Sequence, residues 1–255
     1  MIAELEKQGH EVINLDRDVR DRRTMLGLRD FDVIYHLAGV LGTSELNNRA
    51  YEASETNILG TINMLDAAKR CGAKFIDITK PNVWLNTYSI TKYAGEQFTK
   101  MYHKEFGLPA VSIKWFNVYG PRQSFHCQKA VPFFIRWALN DEDIEIWGDG
   151  TQTGDFIHAK DAVKATIAVA GHKNMEGQTI DIGSGEETTV NELAEMIIKL
   201  TGSKSKIVHR PMRSGEDEHT HLKADIRPIL GLGYTPEYDL ETGLKETIEY
   251  YASRK

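Results

Sequence analysis

Short, nearly continuous apolar runs alternate with longer amphipathic stretches through the first half of this chain, and few folds tolerate that pattern. His10–Leu15, Val33–Leu37, Lys74–Ile78 and Ala110–Trp115 read as strands. Between them, residues 50–71 and 88–106 carry helical periodicity, the first closed by Gly72 and the second by Gly107 and Pro109. Strands that are apolar on both faces and separated by helices predict a parallel sheet covered on each side: an α/β, doubly wound, Rossmann-like fold. The second half changes character. Helices are expected over 132–139, 161–170, 190–200 and 241–251, with strands at 144–147 and 178–182 and a tight turn at Gly148–Gly150. Thr189 and Glu192 fit a capping box ahead of the helix at 190.

Composition removes several function classes. Thirty-one Lys and Arg stand against 37 Asp and Glu, a net charge of −6, which is the wrong sign for a protein that tracks nucleic-acid phosphates. No apolar run approaches the roughly 20 residues of a membrane span. Two cysteines, Cys71 and Cys127, form no metal or disulfide framework and suit a reducing cytosol, so a cytoplasmic protein is expected. His219 and His221 beside Glu216, Asp217 and Glu218 lack a further ligand set at familiar spacing, and no metal site is expected.

The pair with chemical potential is Tyr88 and Lys92, one helical turn apart at a predicted helix start. An ammonium near a phenol favours phenolate, which can exchange a proton with a substrate hydroxyl near neutral pH. Spacing alone is weak evidence: ten Tyr and 31 Lys and Arg in 255 residues give roughly one such pair by chance. Tyr250 with Arg254 and Tyr251 with Lys255 are two further matches. Only Tyr88 lies in a helix that follows one parallel strand and precedes the next, near the carboxyl edge where open α/β sheets bind ligands.

Around this pair the chain resembles the extended short-chain dehydrogenase/reductases, specifically the NAD-dependent sugar-nucleotide epimerase/dehydratases, among them UDP-glucose 4-epimerase. Asp32–Gly39, Asn57–Leu65, Tyr88–Glu96, Trp115–Pro121, Gly148–Gln152, Asp155–His158, Gly183–Gly185 and Arg213–Glu216 match the family's motifs in order across nearly the whole chain. The resemblance implies hydride transfer between a nucleotide-sugar (UDP-, dTDP- or GDP-linked) and NAD, with Tyr88 as general acid/base, Lys92 tuning it and bonding the nicotinamide ribose, and Thr79 as a third catalytic candidate. It implies cofactor contacts from Asp16, Arg17, Asp18, Val19, Leu37, Ala38, Gly39, Asn57, Phe116 and Val118. An acid at position 16 would repel a 2′-phosphate and so favours NAD over NADP. Asn117, Trp147 and Arg213 are the implied substrate contacts. Residues 1–122 and 156–183 would form the cofactor domain, 123–155 and 184–255 a smaller substrate lobe, and helices 50–71 and 88–106 a homodimer interface.

The chain also departs from the family pattern. It begins inside the family's first helix, so the sheet is expected to lack its first strand and the glycine-rich turn that meets the pyrophosphate, and N-terminal truncation is the expected reason. Lys80 falls where the family places its catalytic Ser or Thr, with Thr79 adjacent, and Gly154 falls where it places a phosphate-binding Arg. Two alternatives stay open: a non-catalytic nucleotide-sugar binding relative, and a 4-keto-sugar-nucleotide reductase, suggested by the short Asp16–Asp18 connection.

Overall fold

A computed structural model describes residues 1–125, 129–217 and 219–254; Cys127 and Glu218 lie outside them. In chain order the elements are α1 (Ile2–Lys7), α2 (Arg22–Met25), β1 (Val33–His36), α3 (Ala50–Ser54), α4 (Gly60–Cys71), β2 (Lys74–Thr79), α5 (Thr87–Phe106), β3 (Ala110–Trp115), β4 (Asn117–Tyr119) and α6 (Ala130–Leu139). They continue as β5 (Ile144–Trp147), β6 (Thr153–Gly154), β7 (Phe156–His158), α7 (Ala159–Gly171), β8 (Thr179–Ile182), β9 (Thr188–Thr189), α8 (Val190–Thr201), β10 (Ile207–Arg210), α9 (Arg227–Leu230) and α10 (Leu240–Ala252). Contacts group them into two compact units: Met1–Trp115, Val163–Ile182 and Arg227–Tyr234 in the first, Phe116–Ala162, Gly183–Ile226 and Thr235–Lys255 in the second.

The first unit is built on a parallel sheet of order β1-β2-β3-β8, the Rossmann-like arrangement expected from the alternating pattern. Its strands are short, with β2 almost wholly buried and β1 and β8 alternating buried and half-buried residues, and α4 and α5 pack on them through a core that includes Phe75, Leu65, Met64, Tyr102 and Leu108. Gly72 ends α4 in the left-handed region at φ +71°, a conformation that costs any other residue, and so releases the chain into β2.

Two local expectations differ. Residues 10–15 join no ladder among the described residues, and Ile13 is 60% exposed. Their alternating side chains suit a strand, but a strand exists only through backbone pairing, and none of the described strands lies in register with this segment. The stretch 50–71 is not one α-helix either: Glu55–Leu59 forms a π turn between α3 and α4. Gly60, just past that turn, packs so closely on Val19 that a Cβ would stand 2.6 Å from its Cγ2.

The second unit holds small sheets, β4 with β7, β5 with β10 and β6 with β9, and a core between α6, α8 and α10. The capping box at Thr189 and Glu192 forms as expected. Asp155, fully buried, acts as a staple: its carboxylate accepts from the backbone N–H groups of Ser184, Gly185 and Ala224 and from the Ser184 hydroxyl at 2.6–3.1 Å. The acid inside the apolar run Asp155–His158 was the sequence signal for it.

Candidate functional site

Asn86 starts α5 by accepting from the Ser89 N–H, which fixes Tyr88 in the helix's first turn. One turn on, Lys92 is only 6% exposed, and among the described residues its ammonium has no hydrogen bond or ion pair. Lys80 reaches the same turn from the loop after β2. Its ammonium donates to Ser89 Oγ at 2.8 Å and stands 5.6 Å from the Tyr88 ring centroid and 5.4 Å from that of Trp84. Tyr88 thus stands at a helix N-terminus with the Lys80 cation over its ring and Lys92 one turn on. Thr79 is turned elsewhere: buried at the end of β2, its hydroxyl donates to the Lys92 carbonyl at 3.4 Å and braces α5 against the sheet. Asn86, Ser89 and Thr91 were not among the residues singled out as catalytic or binding, and Lys80 was noted only as standing where the family places its catalytic Ser or Thr. An Asn two residues before a helix's Tyr is a recognisable cap, but the Lys80–Ser89 bond has no local sequence signal.

Behind this turn lie groups with displaced acidities. His36, on β1, is fully buried, bonded to Thr61 Oγ1 at 3.0 Å, and pushed down to about 3 by burial and then by the Lys92 charge. Asp77, on β2, is raised by burial, an effect the Lys92 ammonium opposes and Glu96 reinforces.

The loop after β1 is pinned from beneath. Asn57, on the π turn, accepts from the Val40 N–H at 2.8 Å and donates to the Val40 carbonyl at 3.1 Å and to Thr91 Oγ1 at 3.0 Å. Both polar atoms of its amide are used inside the protein, so it holds the backbone at Val40, next to Leu37–Gly39, rather than facing solvent. Leu37 and Gly39 are exposed and Ala38 half-buried. A Cβ on Gly39 would stand 3.2 Å from Asn57 Oδ1. Asp16 and Arg17 are exposed. Asp18 forms a two-pronged pair with Arg20, as short as 2.6 Å, which holds its carboxyl at about 2. Val19 is a core residue whose carbonyl accepts from Asn63.

In the second unit, Trp147 and Arg213 come together. β5 and β10 pair in parallel with Trp147 beside Arg210, and the Arg213 guanidinium lies 5.8 Å from the Trp147 ring centroid. Arg213 pairs with Glu216 at 2.6 Å, while its Nε is buried without a partner among the described residues, leaving a donor to offer. Asn117 opens β4, flanked by half-buried Phe116 and Val118, and its side chain fills the space over Gly154. A Cβ at Gly154 would stand 2.8 Å from Asn117 Nδ2 and 3.0 Å from the Phe156 ring, so a larger side chain has no room there. Among the described residues no group of three His, Cys, Asp or Glu is placed to hold a metal ion, and no helix is long and apolar enough to cross a membrane.

A four-stranded parallel sheet with Tyr-x-x-x-Lys at the head of the helix joining β2 to β3 is the arrangement of a short-chain dehydrogenase/reductase, and the comparisons with known proteins agree. The family model for GDP-mannose 4,6 dehydratase matches residues 2–247. Over 91% of this chain and 81% of the relative, the sequence is 34% identical to a UDP-N-acetyl-alpha-D-glucosaminuronate decarboxylase of Bacillus cytotoxicus. It is 30% identical to a putative UDP-glucose 4-epimerase of Methanocaldococcus jannaschii, over 94% of this chain and 83% of that one. The structure of UDP-glucuronic acid 4-epimerase from Bacillus cereus, in complex with UDP-glucuronic acid and NAD, superposes with a TM-score of 0.86 at 29% identity, covering 99% of this chain and 86% of that one. This chain belongs to that family, the NAD-dependent sugar-nucleotide epimerase/dehydratases.

Proposed function

We propose that this protein is a cytosolic enzyme that converts a UDP-linked sugar by NAD-dependent hydride transfer, with Tyr88 moving the proton. The observation that carries the reading is Lys92, a side chain only 6% exposed whose ammonium is unpartnered among the described residues, one turn from Tyr88. An ammonium so placed is free to donate, and a ribose hydroxyl of a bound dinucleotide together with the Tyr88 phenolate would supply its acceptors. Exposed Asp16 suits the adenosine ribose, and the pinned, exposed backbone at Gly39 suits close approach of the cofactor. Bound NAD supplies the acceptor, and later the donor, of a hydride at a sugar carbon.

The chain's own residues supply the rest. Tyr88, as phenolate, takes the proton of the sugar hydroxyl at the carbon being oxidised and can return it in a later step. Lys92 and Lys80 stabilise the phenolate by charge. Lys80 stands in for the hydroxyl group usual at that position, but as a pure donor it cannot take a proton. Arg213 offers forked donors to the substrate phosphates, with Trp147 as a stacking face and Asn117 as a further polar contact. We assign the cofactor chiefly to the first unit and the sugar nucleotide chiefly to the second. Tyr51 and Leu59 on the α3–α4 stretch and Ile90 and Tyr93 on α5 expose large apolar surface that a second copy of the chain would cover.

Turnover of UDP-glucose and UDP-glucuronic acid by the wild type and Tyr88→Phe tests the assignment. Loss of at least a hundredfold in rate with nucleotide-sugar affinity retained is expected; an undiminished rate would overturn it.

A further inference from the structure

The second unit carries a cleft of about 540 Å³, within the size range of small-molecule sites, that is separate from Trp147 and Arg213. Three arginines line it: Arg122, Arg136 and Arg254. Arg20, Arg22, Arg49, Arg210 and Arg213 are each paired with a carboxylate at 2.5–2.7 Å. None of the three cleft arginines has such a partner among the described residues, although acids outnumber bases in the chain. Arg23 and Arg70 also go unpaired, but they border a shallower depression beside Arg22, whose charge Asp66 already neutralises.

The cleft's cations are positioned by rings rather than by acids. Arg136, on α6, lies 4.5 Å from the Phe133 centroid and 5.3 Å from that of Phe125, contacts that spend none of its N–H donors, and none of them is hydrogen-bonded among the described residues. Arg254 lies 3.9 Å over Tyr250, the pair one turn apart at the end of the chain. Arg122 is held at φ +69°, a left-handed conformation that few residues other than glycine adopt. Beside it, Gln123 donates through Nε2 to the Val118 carbonyl, while its Oε1 is buried with no hydrogen bond among the described residues. The Tyr251 hydroxyl donates to the Gln123 carbonyl at 2.6 Å and ties this loop to α10.

Forked cations, aromatic faces and one unspent acceptor together match a single ligand chemistry. We propose that this cleft is a second binding site that takes a nucleoside mono- or diphosphate. Its phosphate is gripped by the guanidinium groups, its base lies on the aromatic faces, and a base or ribose donor fills Gln123 Oε1.

The test is titration of the full chain with uridine monophosphate and, separately, inorganic phosphate, reading hydrogen exchange in residues 122–125 and 250–254. Uridine monophosphate is expected to slow exchange in both segments. Arg136→Gln and Arg254→Gln are expected to weaken that effect at least tenfold, with Arg213→Ala leaving it unchanged, so the outcome does not depend on the catalytic reading. Arg122→Gln, on an exposed loop, carries the same expectation should the helical variants unfold. Wild-type titration in the Arg122, Arg136 and Arg254 variants, or no protection in these segments, would overturn the site. Equal affinity for inorganic phosphate and uridine monophosphate would overturn the nucleotide assignment.

Discussion

Asn57 and Val40 exchange two hydrogen bonds, the side-chain amide of one reading the backbone N–H and carbonyl of the other at 2.8 and 3.1 Å. The amide thus imitates a strand partner for a loop that leaves the edge strand β1, and its third bond, to Thr91, extends the clamp to α5. The π turn at Glu55–Leu59 is what carries Asn57, in line with the frequent placement of such turns at functional sites.

Asn57→Asp tests the clamp. It keeps an acceptor for the Val40 N–H but loses both donated bonds and buries a charge. A loss of about 1–3 kcal/mol in urea unfolding is expected, together with weaker NAD binding because the Leu37–Gly39 backbone is released. Unchanged stability would show that the loop holds itself.

Lys80 is expected to shape the pH dependence of turnover. Its ammonium stands 5.6 Å from the Tyr88 ring and is held there by Ser89. Lys80→Met removes a charge that favours the phenolate, so the rising limb of the pH–rate profile should move to higher pH, with the maximal rate at alkaline pH little changed. A profile that falls in height without moving would mean that Lys80 positions substrate instead.

Much of this arrangement was legible in the sequence, and the rest was not for identifiable reasons. Strand β2 could be read because Phe75, Ile76 and Ile78 are apolar on both faces and Gly72 marks the preceding cap. Residues 10–15 show a pattern just as good, but periodicity reports what a side chain suits and not whether a neighbouring backbone exists to pair with it. Tyr88 and Lys92 share a helix, so their spacing is local information. Trp147 and Arg213 meet only because β5 and β10 pair across a long intervening segment, and no local propensity encodes that register. Thr79 and Lys80 are adjacent, and which of them turns toward Tyr88 is settled by tertiary contacts: Thr79, the last residue of β2, donates to the carbonyl of Lys92, and Lys80, in the loop beyond it, to Ser89.

Gly154 is expected to resist the arginine that the resemblance to the family pattern would place there. A Cβ would press on Asn117 Nδ2 at 2.8 Å and on the Phe156 ring at 3.0 Å, both inside a packed layer. Gly154→Ala should cost about 1–3 kcal/mol by overpacking, and Gly154→Arg more. Thermal unfolding of both variants measures this, and a melting point within a degree of the wild type for Gly154→Arg would show that Asn117 swings aside freely.

Acid should weaken the fold partly through His36. Its imidazole titrates near 6.5 when unfolded but is pushed down to about 3 in the folded protein by burial and by the Lys92 ammonium. Above pH 6.5 it is neutral in both states and stability is intact. Between pH 6.5 and about 3 the unfolded chain takes up a proton that the folded chain refuses, so stability falls by up to about 1.4 kcal/mol per pH unit. Asp77 works the other way: burial raises it in the folded state, so as pH falls through its folded value the protein binds a proton before the unfolded chain does and regains stability. Urea midpoints at pH 7.5 and 5.0 read the net of the two, and a His36 variant isolates its share. His36→Gln can keep a bond to Thr61 but cannot charge, and it should flatten the decline between these pH values. An equally steep decline in that variant would place the acid sensitivity at another group.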